Sequence, residues 1–461
     1  MEPNVSHYAR MQAPGIGDGM PVSFRDLPAI HAILAAPKLG SLPPGLSAKI
    51  AREVLDELRD EIRAGTLTAL PDVAERVADR VHQLLSGRMR SVLNATGVVV
   101  HTNLGRAPWP EQAVQAAAHA SGYCNLEMSL DTGKRGGRTE GVRRLMCALT
   151  GAEDAVVVNN CAAALLLSLT ALAQGREVLA SRGELVEIGG SFRVPDIIQA
   201  GGATLVPVGT TNRTRVADFE AAASAGTAVL LTVHPSNFRI VGFTETADRV
   251  SRTELAHRLE ILHVEDVGSG SLEEVNGEPG VRDSVAAGVD VVVFSGDKLL
   301  GGPQCGFAVG SAAAIRRLRR HPMYRAMRLD KTLIAACEAT LGLALAGEDT
   351  PVSRMLKLQP DVLEARALQL VGLLESHGVK GSVTDVQSAA GGGAMPGLGL
   401  PSKACRVPCD RVDAVIRRLR MGSPAVLARI VDDAVVLDVR TLPDSALAEV
   451  AKQVARAVGR S

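Results

Sequence analysis

A lysine that follows directly on a run of β-branched residues and precedes paired glycines is placed for chemistry. In VDVVVFSGDKLLGGPQCG, the run Val289 to Phe294 reads as a buried strand, and Lys298 lies just beyond it, ahead of Gly301 and Gly302. A desolvated lysine gives up its proton readily and forms an imine with a carbonyl compound, which is how pyridoxal phosphate is held. This segment alone fits an ordinary loop lysine equally well. Asp266 tips the balance. In ILHVEDVGSGS it ends the preceding predicted strand, thirty-two residues before Lys298. That spacing suits one crossover connection and predicts that the two residues stand on neighbouring strand ends. A carboxylate there keeps a pyridine nitrogen protonated, so that the ring can accept electrons from a carbanion. Helix capping is the competing role for Asp266, while Glu265, one position earlier, points to the other face of the strand.

A phosphate-bearing cofactor also needs an anion seat. VVVNNCAAALLLSL passes from a strand through Asn159 and Asn160 into an apolar helix, so free N–H groups near Cys161 and Ala162 can bind an anion. Ser295 can add a hydroxyl. Without the lysine and the aspartate, Asn159-Asn160 reads as a simple helix cap. Cys161 and Cys305 read as small packing residues, since no activating histidine lies near them in sequence. Arg106 in HTNLGRAPWP, with Arg325 and Arg328 in HPMYRAMRLDK, are candidates for a second anion, because guanidinium grips phosphate in a bidentate fork. Arg316, Arg317, Arg319 and Arg320 read as a solvated helix face. Asp297 is a weaker candidate for tuning Lys298. Ten histidines form no HExxH and no cluster with cysteines, so no metal site is expected.

These residues need a scaffold, and the pattern predicts a parallel α/β sheet. The predicted strands are Ala155 to Val158, Glu177 to Ser181, Ala203 to Val208, Ala228 to Val233, Ile261 to Glu265 and Val289 to Phe294, separated by helical stretches. Ligands collect at the carboxyl ends of such strands. Residues 1–20 mix Pro, Gly and polar residues and read as mobile. Residues 21–90 read as a small helical domain, with Ser47 as a helix cap and apolar stripes Ile50, Val54, Leu55, Leu58, Ile62 and Val73, Val77, Val81, Leu84, Leu85. Residues 91–345 form the predicted large α/β domain, and 346–461 a smaller α+β domain. The latter carries a late strand Ala434 to Val439, and the triple glycine at 391–393 reads as a flexible loop.

Composition narrows the function. Of 461 residues, 46% are hydrophobic and 22% charged, the balance of an ordinary globular chain. Aromatic residues reach only 2%, too few for a protein that works by stacking bases. Fifty basic residues balance fifty acidic ones, so any nucleic-acid contact must come from a local patch. Seven cysteines without a CxxC pair fit a reducing cytoplasm, and no apolar run is long enough to span a bilayer.

The motifs taken together resemble the bacterial selenocysteine synthase family, the L-seryl-tRNA(Sec) selenium transferases. The likeness runs through LNATGVVVHTNLGRA (93–107), SRGELVEIGGSFRVPDI (181–197), HPSNFRIVGFT (234–244), DVGSGSL (266–272), FSGDKLLGGPQCG (294–306) and RIVDDAVVLDVRTL (429–442). It implies an aspartate-aminotransferase-like fold (fold type I) with pyridoxal phosphate bound through Lys298. It also implies arginines 106, 325 and 328 around the phosphate of selenophosphate, a helical N-terminal domain that recognises tRNA(Sec) charged with serine, and a homodecamer. Arg52, Arg59, Arg63, Arg76 and Arg80 are the expected local footprint for RNA. Two departures stand out: NNCAAA where the family has NNNAAA, and DVGSG for DLGSG. The implied reaction eliminates the seryl hydroxyl and adds selenium to the same carbon. The rival readings are a pyridoxal-phosphate lyase or transferase acting on a small free amino acid or amino-sugar acid, and a non-catalytic descendant of the enzyme.

Overall fold

The computed structural model describes residues 22–85, 89–188 and 192–459, so the segment expected to be mobile, 1–20, lies outside the described residues. The chain divides into two compact units, Met1–Ser91 and Val92–Ser461.

The first unit is helical. Helix α1 (Pro44–Arg63) and helix α2 (Val73–Leu85) bury Ile50, Val54, Leu55 and Leu58 against Val73, Val77 and Val81. The i, i+4 spacing of these residues puts each set on one stripe. Ser47 does not cap α1. The helix starts three residues earlier at Pro44, whose ring presets the helical φ and lacks the N–H that would go unpaired there, and Ser47 is buried in the first turn. Leu84 and Leu85, expected on the apolar stripe, are exposed. The expected RNA footprint is largely engaged internally. Arg59 pairs with Asp56, Arg63 with Asp60, Arg76 with Glu57 and Glu61, and Arg80 with Glu57.

The second unit is built on a seven-stranded sheet. In chain order it contains β1 (Val92–Asn94), β2 (Val98–Val100), β3 (Asp154–Val158), β4 (Glu177–Ser181), β5 (Thr204–Val208), β6 (Thr227–Val233), β7 (Leu262–Gly268), β8 (Val291–Ser295) and β9 (Gly306–Gly310). The large sheet has the order β3-β9-β8-β7-β6-β4-β5, parallel except for β9, which runs antiparallel to both neighbours. Apart from the edge strand β5, which is largely exposed or half-buried, its strands are mostly valine-rich runs buried on both faces, as a sheet flanked by helices demands. On one face Val156, Val158, Val229, Val264 and Val291 pack against Leu165 and Leu169 of helix α3 (Cys161–Ala173). On the other, Val157, Val292, Phe294 and Phe307 pack against Met146 and Leu341. The six predicted strands form within two or three residues of their expected bounds. β9 adds a seventh, which the glycines bracketing GFAVG disguised.

A second sheet of five strands has the order β13-β14-β11-β10-β2, comprising β10 (Ser382–Gly391), β11 (Ala394–Pro408), β13 (Arg429–Val431), β14 (Ala434–Asp438) and the early strand β2. β12 (Ala425–Leu427) pairs in parallel with β1. Residues 92–100 therefore join the C-terminal sheet, through Val92↔Ala425 and Ala389↔Val98, although the sequence pattern groups them with the large domain. The triple glycine is not a loose loop. Gly391, Gly392 and Gly393 all take positive φ and turn β10 into β11, a backbone course closed to most side chains. Among the described residues, no helix is long and apolar enough to cross a membrane.

Candidate active site

Adjacent strands β7 and β8 bring Asp266 and Lys298 together. Asp266 pairs in register with Val293, and β8 ends at Ser295, three residues before the lysine. Asp266 does not end its strand: β7 runs on to Gly268 across a register shift, which frees the Gly268 N–H to donate to Asp266 Oδ1 at 3.0 Å. Both side chains are more than nine-tenths buried, and both line one cavity of about 250 Å³ together with Arg106, Asn160, Cys161, Ala162 and Ser295. Burial pushes the Asp266 carboxyl up to about 6, against the pull of the Lys298 charge. Glu265 faces the other way, bound to Arg249 at 2.9 Å.

The start of α3 supplies the anion seat. Asn160 caps the helix, its Oδ1 accepting from the Ala163 N–H at 2.8 Å. The N–H groups of Cys161 and Ala162 are in the first turn and have no partner within the helix. β9 reaches this turn at close quarters. A Cβ on Gly306 would lie 2.0 Å from the Asn160 carbonyl oxygen, so only glycine lets the strand close on the seat. Cys161 does more than pack: its thiol donates to Asp266 Oδ1 at 3.5 Å. Burial, then the Asp266 charge, push that thiol well above its ordinary range, which keeps it protonated.

Arg106 enters from a tight turn with a φ of 66° and binds the buried carboxylate of Asp297 at 2.8 Å. Asp297 thus serves Arg106 directly. Arg325 and Arg328 do not line the cavity. Both are exposed, Arg325 on a one-turn helix (Pro322–Ala326) and Arg328 just after it. Their segment meets the anion seat only through the backbone, where Asn159 N–H donates to Met327 O at 3.1 Å.

The sequence reading missed His234, Ser236 and Gln304, which also line the cavity. His234 immediately follows β6, so the strand-end rule that singled out Asp266 and Lys298 would have found it. Its N–H donates to Asp266 O at 2.9 Å, and its Nε2 lies 3.6 Å from Glu278 Oε2. Beneath it, Glu184 accepts the Val233 N–H at 3.1 Å and pairs with the buried Arg252 at 2.7 Å, pinning the end of β6. Chemically, the cavity offers an anion seat, a buried carboxylate and a buried amine, the set needed to hold a small phosphorylated carbonyl compound by both ends.

The comparisons with known proteins point the same way. The family model for SelA, L-seryl-tRNA selenium transferase, matches residues 92–443. The chain is 47% identical to the L-seryl-tRNA(Sec) selenium transferase of Hyphomonas neptunium, covering 92% of this chain and 96% of that one. It is 45% identical to that of Solidesulfovibrio magneticus, covering 94% and 98%, and 41% identical to that of Aquifex aeolicus, covering 91% and 95%. Among solved structures, D-glucosaminate-6-phosphate ammonia-lyase shares the fold with a TM-score of 0.59 and 21% identity, covering 82% of this chain and 98% of that one.

Proposed function

The chain belongs to the L-seryl-tRNA selenium transferase family, and we propose that it converts L-seryl-tRNA(Sec) to L-selenocysteinyl-tRNA(Sec) in the cytoplasm, with pyridoxal phosphate as cofactor and selenophosphate as selenium donor. The observation that carries this reading is the burial of Asp266 and Lys298 on adjacent strand ends around one cavity. Bound there, pyridoxal phosphate supplies an electron sink that acidifies the seryl α-carbon and lets the β-hydroxyl leave.

The chain's own residues do the rest. The N–H groups of Cys161 and Ala162, the Asn160 turn and the Ser295 hydroxyl hold the phosphate. Asp266 would hold the ring nitrogen and keep a proton there; burial raises its own affinity for protons. Lys298 Nζ would hold the carbonyl end of the cofactor, and its buried amine is placed to act as the base toward the seryl α-carbon. Lys298 is more than nine-tenths buried, which shields its amine from water. Arg106, fixed by Asp297, binds the donor's phosphate. Arg325 and Arg328 assist from the surface, a position that suits a site completed between subunits of a homodecamer. The helical first unit binds the tRNA, with Arg52 free of the ion pairs that engage the other four arginines of the footprint among the described residues. A lyase acting on free amino acids is not favoured, because the relatives that match through nearly their full length carry the selenium-transferase name.

Single-turnover conversion of charged tRNA(Sec) with selenophosphate tests the proposal. Wild type should form the selenocysteinyl product and Lys298→Ala should not. Equal conversion by both proteins removes the lysine from the reaction, and no conversion by wild type removes the function.

A further inference from the structure

Beside the Lys298 cavity lies a larger one of about 520 Å³, and Arg106 lines both. Arg354, Arg366 and Arg440 complete its charged wall, and no Asp or Glu is among the described residues that line it. Arg440 is 3% exposed. Its two terminal nitrogens donate to Met355 O at 2.7 Å and Pro401 O at 2.6 Å, yet its Nε has no partner among the described residues. His101 Nδ1, also on this wall, is buried and equally unpartnered. Asp438, the nearest carboxylate to Arg440 in sequence, is taken up by Arg429, Ser388 and Ser402. Of the four arginines, Arg106 pairs with Asp297 at 2.8 Å and Arg366 with the exposed Asp444 at 2.6 Å, and neither carboxylate lines the cavity. Leu93, Leu358 and Leu442 give the same cavity an apolar surface.

Four guanidinium groups with no carboxylate among the described lining residues, together with Leu93, Leu358 and Leu442, fit a ligand that joins an anion to a flat, weakly polar body. A second neighbouring cavity, which shares His234 with the Lys298 site, is lined by Glu184, Glu245 and Glu278 as well as Arg213 and Arg239, a less cationic lining than that of the arginine-lined cavity. The seryl ester is carried on the last ribose of its RNA, so the terminal nucleotide comes close to Lys298, and of these two neighbouring cavities the one without a lining carboxylate suits its phosphodiester better. We propose that the arginine-lined cavity seats the 3′-terminal nucleotide of the charged RNA, its phosphodiester on Arg354 and Arg366 and its base against the apolar surface and a guanidinium plane. Arg106, common to both cavities, then marks where the ester crosses to Lys298. This inference rests on the proposed function.

The test uses the full-length, cofactor-loaded protein, the trinucleotide CpCpA and orthophosphate as probes, and the variants Arg354→Glu, at an exposed arginine, and Arg366→Gln, at a half-buried one. Each variant should weaken CpCpA binding and raise the KM for charged tRNA about tenfold or more, with kcat within about twofold and the cofactor absorbance unchanged. CpCpA binding and KM that stay within twofold of wild type overturn the proposal. So does a variant that loses orthophosphate binding while CpCpA binds nowhere, which makes the cavity a seat for the free donor anion. A wild type that loads cofactor and binds CpCpA in an Arg354-dependent way, yet never converts charged tRNA, overturns the parent function and leaves the nucleotide seat standing.

Discussion

Replacing Gly306 by Ala should damage the cofactor seat from a position that touches no ligand. The added Cβ would stand 2.0 Å from the Asn160 carbonyl oxygen, 2.2 Å from its carbon and 2.6 Å from the Cys161 nitrogen, whereas ordinary contact begins at 3.4 Å. One side must therefore retreat by more than an ångström. β9 is held on both flanks, through Ser295↔Gly306 and Gly306↔Val158, so the helix start is the softer partner. Its retreat turns the Cys161 and Ala162 N–H groups away from the phosphate. Losing one such charge-assisted hydrogen bond costs about 1.5–3 kcal/mol, or roughly tenfold to a hundredfold in affinity. Overpacking adds about 1–3 kcal/mol of destabilisation to the empty protein. Absorbance titration of cofactor-free protein with pyridoxal phosphate measures the first effect, and a thermal melt measures the second. Gly342→Ala is the control: it sits in the helix Lys331–Leu345 with open space around its Cβ, so it should leave cofactor affinity unchanged and, through helix propensity, keep or slightly raise the melting temperature. A Gly306→Ala protein that binds cofactor and melts like wild type would refute the close-approach argument.

Further outcomes follow from the same geometry. In the cofactor-free protein, Asp266 keeps its proton up to about pH 6, while the unfolded chain releases it near pH 4. Its stabilising contribution is therefore complete below about pH 4 and is lost as pH rises through 6. Asp266→Asn should gain on wild type by on the order of 3 kcal/mol between pH 4 and pH 7 in urea unfolding, and parallel pH profiles would contradict the assignment. Arg106→Gln should raise the KM for selenophosphate about tenfold while cofactor absorbance stays normal; an unchanged KM places the donor elsewhere. Iodoacetamide at pH 8 should label the exposed Cys124 in the folded protein and spare Cys161, which is partly buried and whose thiol is held protonated. Labelling of Cys161 at the rate of Cys124 would show an open, ionised thiol.

What could be read in the sequence was what local pattern encodes. Lys298 and Asp266 were legible because valine-rich strands announce their own ends, and a parallel sheet gathers ligands at those ends. The same logic reached Asn160, Cys161, Ala162 and Ser295. β9 was hidden because a strand bracketed by glycines looks like a turn. The pairing of residues 92–100 with a sheet formed some three hundred residues later was hidden because parallel register depends on contacts distant in sequence. Arg325 and Arg328 were legible as a cationic motif but not as surface residues, since their reach is set by how the short helix packs. Cys161 was read as filler because its partner, Asp266, is distant in the chain.

The most direct measurement is borohydride reduction of the cofactor-loaded protein followed by peptide mapping. The pyridoxyl mass should fall on the peptide that carries Lys298 and vanish in Lys298→Ala. Label on a peptide bearing Lys331, Lys403 or any other lysine would contradict the account.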